Sequence, residues 1–226
     1  MKKWSFISIE CILYLTFLWL DAFVPGGYEV SNHMKLVGIV LCFFYTLSYG
    51  EKEGSKRERY VLRGALFFTL VSDVCLLRYG YYEVGVSSFC LVQLFYWYRM
   101  NGYDGKAFSW KKNIGVLGCV GVLGLCFFLF RLPVDYTLLC GTVYIVLFVR
   151  NVFMVFRLSA NWLFQVGLVL FLCCDINVGL YNMASYVAFS GGSYERIYML
   201  ASFFMWFFYL PSQVMLCLSI SKGEGK

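Results

Sequence analysis

The chain has 226 residues, of which 61% are hydrophobic, 21% aromatic and only 14% charged. A soluble domain of this length carries about 45–50% apolar and about 25% charged residues, so an ordinary cytosolic enzyme, a disordered chain and a disulfide-stapled secreted fold are excluded. The formal charge of +6 does not point to nucleic acid, because Lys and Arg lie in short segments between apolar runs and form no single basic face.

A helix needs about 20 apolar residues to cross the hydrocarbon core, and the runs of this chain predict an all-α, polytopic membrane bundle of eight transmembrane helices. Met1-Lys2-Lys3 ahead of an apolar stretch imitates a signal peptide, but no small-residue cleavage site follows. The first run is therefore expected as a retained span over residues 4–23, with Glu10 inside it and Asp21 near its outer end. Pro25-Gly26-Gly27 ends it. A short second span follows over 34–49, carrying Lys35, and a start near Val30 would lengthen it. The charged run Glu51 to Arg59 reads as a solvated loop. Spans three and four, at 60–79 and 83–100, are divided only by Arg78 to Tyr82, where a tight outer turn suffices. Asn101-Gly102, Leu132-Pro133, Ser159-Ala160-Asn161 and Ser190-Gly191-Gly192 then delimit spans at 113–131, 136–157, 162–187 and 197–219. Together they are expected to form a single transmembrane domain over 1–226.

Orientation follows from the basic residues. With the N-terminus inside, the inner segments hold Lys2, Lys3, Lys52, Lys56, Arg57, Arg59, Arg99, Lys106, Lys111, Lys112, Arg157, Lys222 and Lys226, whereas the outer ends hold only Lys35, Arg78, Arg131 and Arg196. That asymmetry predicts cytoplasmic N- and C-termini, most simply in the cell membrane. A faint echo links Leu66 to Asp73 with Leu168 to Asp175, and the helix after each carries a mid-span glutamine, Gln93 or Gln213. A parallel four-plus-four duplication would produce it.

The ten cysteines lie inside apolar runs, and His33 is the one histidine. A zinc site needs clustered Cys, His or carboxylate ligands, so no metal and no cofactor are expected, and the cysteines read as packing residues. Ionisable groups at membrane depth are costly and mark bundle interiors or water-filled cavities. Asp73 and Asp175 stand out, each well inside its helix and in the same half of the bilayer. In apolar surroundings one carboxyl of a pair can keep its proton while the other stays ionised, which gives a general acid and base; the plainer reading pairs each with Lys35, Arg150 or a tyrosine. Gln93 and Tyr96 share a helix face, as do Tyr209 and Gln213, and they either line a polar cavity or make interhelical hydrogen bonds. Arg150 beside Asn151 offers a guanidinium to a phosphate, but snorkelling to the inner interface is the simpler reading.

At these residues the sequence resembles the YhhN family of eight-span membrane proteins. Its lysine near the start of span two, usually followed by proline, is here Lys35-Leu36. Its Gly/Ser-Asp pair is Ser72-Asp73. The next helix follows a G-x-x-x-F-x-x-x-H-x-x-Y pattern as Gly85, Phe89, Gln93 and Tyr96, with glutamine where histidine is usual. Span seven carries Cys174-Asp175 for the Ser-Asp or Ser-Asn pair, and the last helix has Tyr209 and Gln213. The resemblance implies lysoplasmalogenase activity, that is, hydrolysis of the vinyl ether bond of a lysophospholipid to a fatty aldehyde and a glycerophospho compound. Asp73 and Asp175 would then be the acid/base pair. Gln93, Tyr96, Tyr209 and Gln213 would position water and glycerol oxygens, and Lys35 would contact the phosphate or tune an aspartate. The partners are membrane lipids and the lysophospholipid substrate. A small transporter or lipid-binding protein using the same carboxylates for proton coupling is the alternative. An intramembrane aspartyl protease is disfavoured because the Tyr-Asp and Gly-x-Gly-Asp contexts are missing.

Overall fold

A computed structural model describes residues 2–48, 56–104, 114–158, 160–187 and 193–220. Among them the chain is all-α, with eight α-helices: α1 Lys3–Phe23, α2 Tyr28–Ser48, α3 Lys56–Val74, α4 Tyr82–Asp104, α5 Ile114–Leu129, α6 Tyr136–Arg157, α7 Trp162–Asn182 and α8 Ser193–Leu218. α3 runs on into a π-helical turn, Cys75–Tyr79, and α7 into a 3₁₀ turn, Met183–Ser185. Local chemistry accounts for several of the ends. The Asp135 carboxylate accepts from Leu138 N–H at 2.7 Å and caps α6, and Asn161 Oδ1 accepts from Leu163 N–H at 2.9 Å at the start of α7; both meet donors that a first turn leaves orphaned. The π turn closes at Gly80, whose φ of 66° suits a residue without Cβ.

Six of the helices are long and apolar enough to cross a membrane: α1, α2, α3 with its π turn, α6, α7 with its 3₁₀ turn, and α8. α4 has 23 residues, but Glu83, Gln93, Arg99, Asn101 and Asp104 dilute its apolar run. α5 is apolar throughout yet has 16 residues, about 24 Å at the usual helical rise. Large apolar side chains point outward along the spans, Trp4, Ile12, Leu15 and Trp19 on α1 and Phe153 and Phe156 on α6 among them. In water such surface would be a liability; facing lipid it is what a membrane helix requires. α2 begins at Tyr28 instead of residue 34, and α8 at Ser193 instead of 197.

The chain divides into two compact units, one made of residues 1–54 and 161–226 and the other of 55–160. The first comprises α1, α2, α7 and α8. α7 and α8 pack closely, since a Cβ at Gly167 would stand 2.9 Å from Leu216 Cγ and 3.2 Å from its backbone nitrogen. α1 packs on α2, and both touch α8. The stripe Phe6, Glu10, Phe17 is the buried side of α1. In the second unit α4 lies between α3 and α6, and α5 packs on α6. There a Cβ at Gly85 would stand 2.6 Å from the Leu76 side chain of the π turn, so a larger residue at the start of α4 would force that side chain to move.

α8 carries Pro211 in its interior. Proline removes the hydrogen bond to the carbonyl four residues back, here Phe207, and in lipid no water replaces it. The Tyr14 hydroxyl of α1 donates to that carbonyl at 2.9 Å. Tyr14→Phe is therefore expected to lower stability by about 1 kcal/mol, and adding Pro211→Ala, which restores the backbone donor, should remove most of the loss. Reversible unfolding in a detergent titration measures both, and a Tyr14→Phe cost that survives Pro211→Ala contradicts this account.

Candidate functional site

Each unit buries its own polar cluster. In the first, Lys35 projects from the second turn of α2 and its side chain is 2% exposed. Its ammonium lies 2.8 Å from the Asp21 carboxylate of α1 and 3.4 Å from Asn32 Oδ1. Three rings surround it: Trp206 at 4.8 Å, Phe17 at 5.7 Å and Tyr28 at 5.8 Å to their centroids. Cation–π attraction is strongest to Trp and grows as water is excluded, so the cage adds to the ion pair. Trp206 stands edge-on to Tyr209 at 5.3 Å, and Tyr209 meets Phe171 of α7 at 5.6 Å. Lys35 and Tyr209 are thus joined through one indole.

Further along the same helices Glu10 is 2% exposed. The Cys42 thiol points at its Oε1 at 3.8 Å, and Oε2 has no hydrogen-bond partner among the described residues. Gly38 leaves room for that carboxyl, since a Cβ there would be 3.1 Å from Oε2 and 2.9 Å from Leu210 Cδ1. Gln213 is fully buried; its Nε2 reaches Ser212 Oγ at 3.3 Å, and its Oε1 is unpartnered among the described residues. Asp175 lies on α7 in this unit, partly buried.

In the second unit Asp73 is the penultimate residue of α3 at 4% exposure, one residue before the π turn that opens at Cys75. Its neighbour Ser72 is fully buried and donates to Gly85 O at 2.7 Å, tying α3 to α4. π-helical turns widen a helix and recur beside functional positions. Gln93 and Tyr96 are fully buried on α4. Asn151 of α6, also fully buried, donates through Nδ2 to the backbone oxygen of Gln93 at 2.8 Å and to its Oε1 at 3.0 Å. Arg150 donates to Asn151 Oδ1 at 3.3 Å and stacks on Trp97 at 4.7 Å.

Asp73, Gln93 and Tyr96 therefore belong to one unit, and Lys35, Asp175, Tyr209 and Gln213 to the other. Two residues that matter to these clusters were given no site role from sequence. Asp21 sits near a helix end, where a carboxylate is cheap and unremarkable, and only the register of α1 against α2 reveals it as Lys35's partner. Asn151 is a mid-span amide, a signal that is present in the sequence but shared by every interhelical hydrogen bond.

Removing Asp21 leaves the buried Lys35 ammonium uncompensated, at a cost of up to about 3–5 kcal/mol, whereas replacing both partners by apolar residues is often near neutral. Asp21→Leu alone should therefore lower the thermal midpoint strongly, and Asp21→Leu with Lys35→Met should recover most of it. Equal losses in the single and double variants would refute a stabilising contact of this kind.

The YhhN family model matches residues 31–220. No curated protein and no solved structure matches the chain. α1, which supplies Asp21, Phe17, Tyr14 and Glu10, precedes the matched stretch.

Proposed function

The chain belongs to the YhhN family, and from that premise we propose that it is a membrane-embedded hydrolase that cleaves the vinyl ether bond of lysoplasmalogens. The observation that carries the reading is the family match over most of a chain that keeps carboxyls at Asp73 and Asp175 within apolar helices. An enol ether is hydrolysed by protonation of its β-carbon, which leaves an oxocarbenium ion. Water adds to that ion, and the hemiacetal collapses to a fatty aldehyde and the glycerol hydroxyl. The reaction asks for a general acid, a carboxylate to stabilise the cation and take a proton from water, and access from lipid. Asp73 and Asp175 take the first two roles. Tyr96, Tyr209, Gln93 and Gln213 position water and glycerol oxygens. Lys35 serves by holding an aspartate, a role supported by its 2.8 Å contact with Asp21 and by the rings that enclose it.

The same reading has eight helices in the membrane, α4 and α5 included, and both termini on the cytoplasmic side of the cell membrane. Purified protein incubated with a lysoplasmalogen should release fatty aldehyde. Asp73→Asn and Asp175→Asn should each reduce that release by roughly a hundredfold or more, the usual contribution of a positioned acid or base. Full activity in either variant removes that residue from the mechanism. A folded protein that releases no aldehyde turns the reading to transport, which an uncleavable ether analogue would support.

A further inference from the structure

Gln93 has two chemically opposite ends, and which one it offers to a ligand is decided by its neighbours. A backbone carbonyl only accepts, so the 2.8 Å contact between Gln93 O and Asn151 must come from the Asn151 Nδ2 group. The guanidinium only donates, so the 3.3 Å contact from Arg150 must reach Asn151 Oδ1. Both contacts set the same orientation of the Asn151 amide. With its Nδ2 also 3.0 Å from the Gln93 side chain, the atom that it meets must be Oε1. Gln93 Nε2 is then turned away, fully buried and without a partner among the described residues. The stack of Arg150 on Trp97 at 4.7 Å holds the origin of this series in place.

We propose that Asn151 is a positioning residue that locks Gln93 as a hydrogen-bond donor, and that Gln93 Nε2 recognises an oxygen acceptor in the headgroup of a glycerol-ether lysolipid. The assignment rests on the hydrolase reading for the identity of the lipid. The acceptor is a glycerol oxygen or a phosphate oxygen, which offer the same lone pairs to an N–H.

The test is binding of a saturated 1-alkyl lysophospholipid, which cannot be cleaved as an enol ether, to the purified full chain in detergent, by calorimetry. Asn151→Asp places an acceptor against Gln93, turns its amide round and presents Oε1 outward; affinity should fall about tenfold, the scale of one lost buried hydrogen bond. Gln93→Glu keeps an oxygen for Asn151 and replaces the outward donor by an acceptor, with the same expected loss. The double variant Asn151→Asp with Gln93→His should recover most of the affinity, because an imidazolium donates through both ring nitrogens. A purely structural role for Asn151 predicts no such recovery. Unchanged affinity in Gln93→Glu, or a double variant as weak as Asn151→Asp while circular dichroism shows both folded, overturns the proposal, as does a wild-type chain that binds no analogue. Repeating the series with a 1-alkylglycerol assigns the acceptor: the losses persist if it is a glycerol oxygen and vanish if it is the phosphate. Wild-type binding with this pattern but no aldehyde from a lysoplasmalogen would overturn the hydrolase reading and leave the donor assignment standing.

Discussion

Inside a bilayer no water is available to the polar groups of a helix, and each must be met by another part of the protein. α8 illustrates the constraint. Pro211 frees the Phe207 carbonyl, and the Tyr14 hydroxyl comes from α1 to meet it at 2.9 Å. The same helix brings Asp21 to Lys35 at 2.8 Å. Glu10, Tyr14, Phe17 and Asp21 recur at helical spacing along one side of α1, and through them this largely apolar helix turns polar groups to α2 and α8. In the second unit Ser72 performs the equivalent task by closing α3 onto the Gly85 carbonyl.

Against that background the groups that remain unmet are informative. A buried polar atom without a partner costs about 1–3 kcal/mol. Among the described residues Glu10 Oε2 and Gln213 Oε1 are such atoms in the first unit, and Gln93 Nε2 in the second. Lys35 is the opposite case, since carboxylate, amide and three rings surround its ammonium. A cation so fully satisfied gains little from a further anion. Lys35 therefore reads better as architecture for the α1–α2–α8 corner than as a contact for phosphate.

The helices were legible because the signals that set them are local. Asp135 and Asn161 cap α6 and α7 next to the expected starts at residues 136 and 162. The start of α2 was not, because Glu29, Ser31, Asn32 and His33 dilute the first turns below an apolar run. Those turns are nonetheless helical: Glu29 complements the positive end of the helix dipole, and the Ser31 amide donates to Gly27 O at 2.9 Å. The π turn after Asp73 left no mark in hydropathy, which does not register a change from i+4 to i+5 bonding. Candidate site residues were proposed from residue type, depth in the span and the resemblance to a family pattern. Their partners were not, because pairing depends on the rotation and register of one helix against another, and sequence periodicity along one helix carries no information about its neighbour.

Gln93 shows what such pairing adds. By resemblance to the family pattern, Gln93 stands where a histidine is usual, and a glutamine there has no titratable proton to offer. An imidazole, however, has two separable abilities, to exchange a proton and to donate a hydrogen bond in a fixed direction. The backbone carbonyl and the guanidinium that orient Asn151 cannot reverse their polarity, and through Asn151 they impose a direction on Gln93. The donating ability therefore survives in an uncharged group whose state does not vary with pH. If enol-ether hydrolysis is the reaction, the proton must then come from a carboxyl, and the demand for acid/base chemistry falls on Asp73 and Asp175, with position 93 left to orient the lipid.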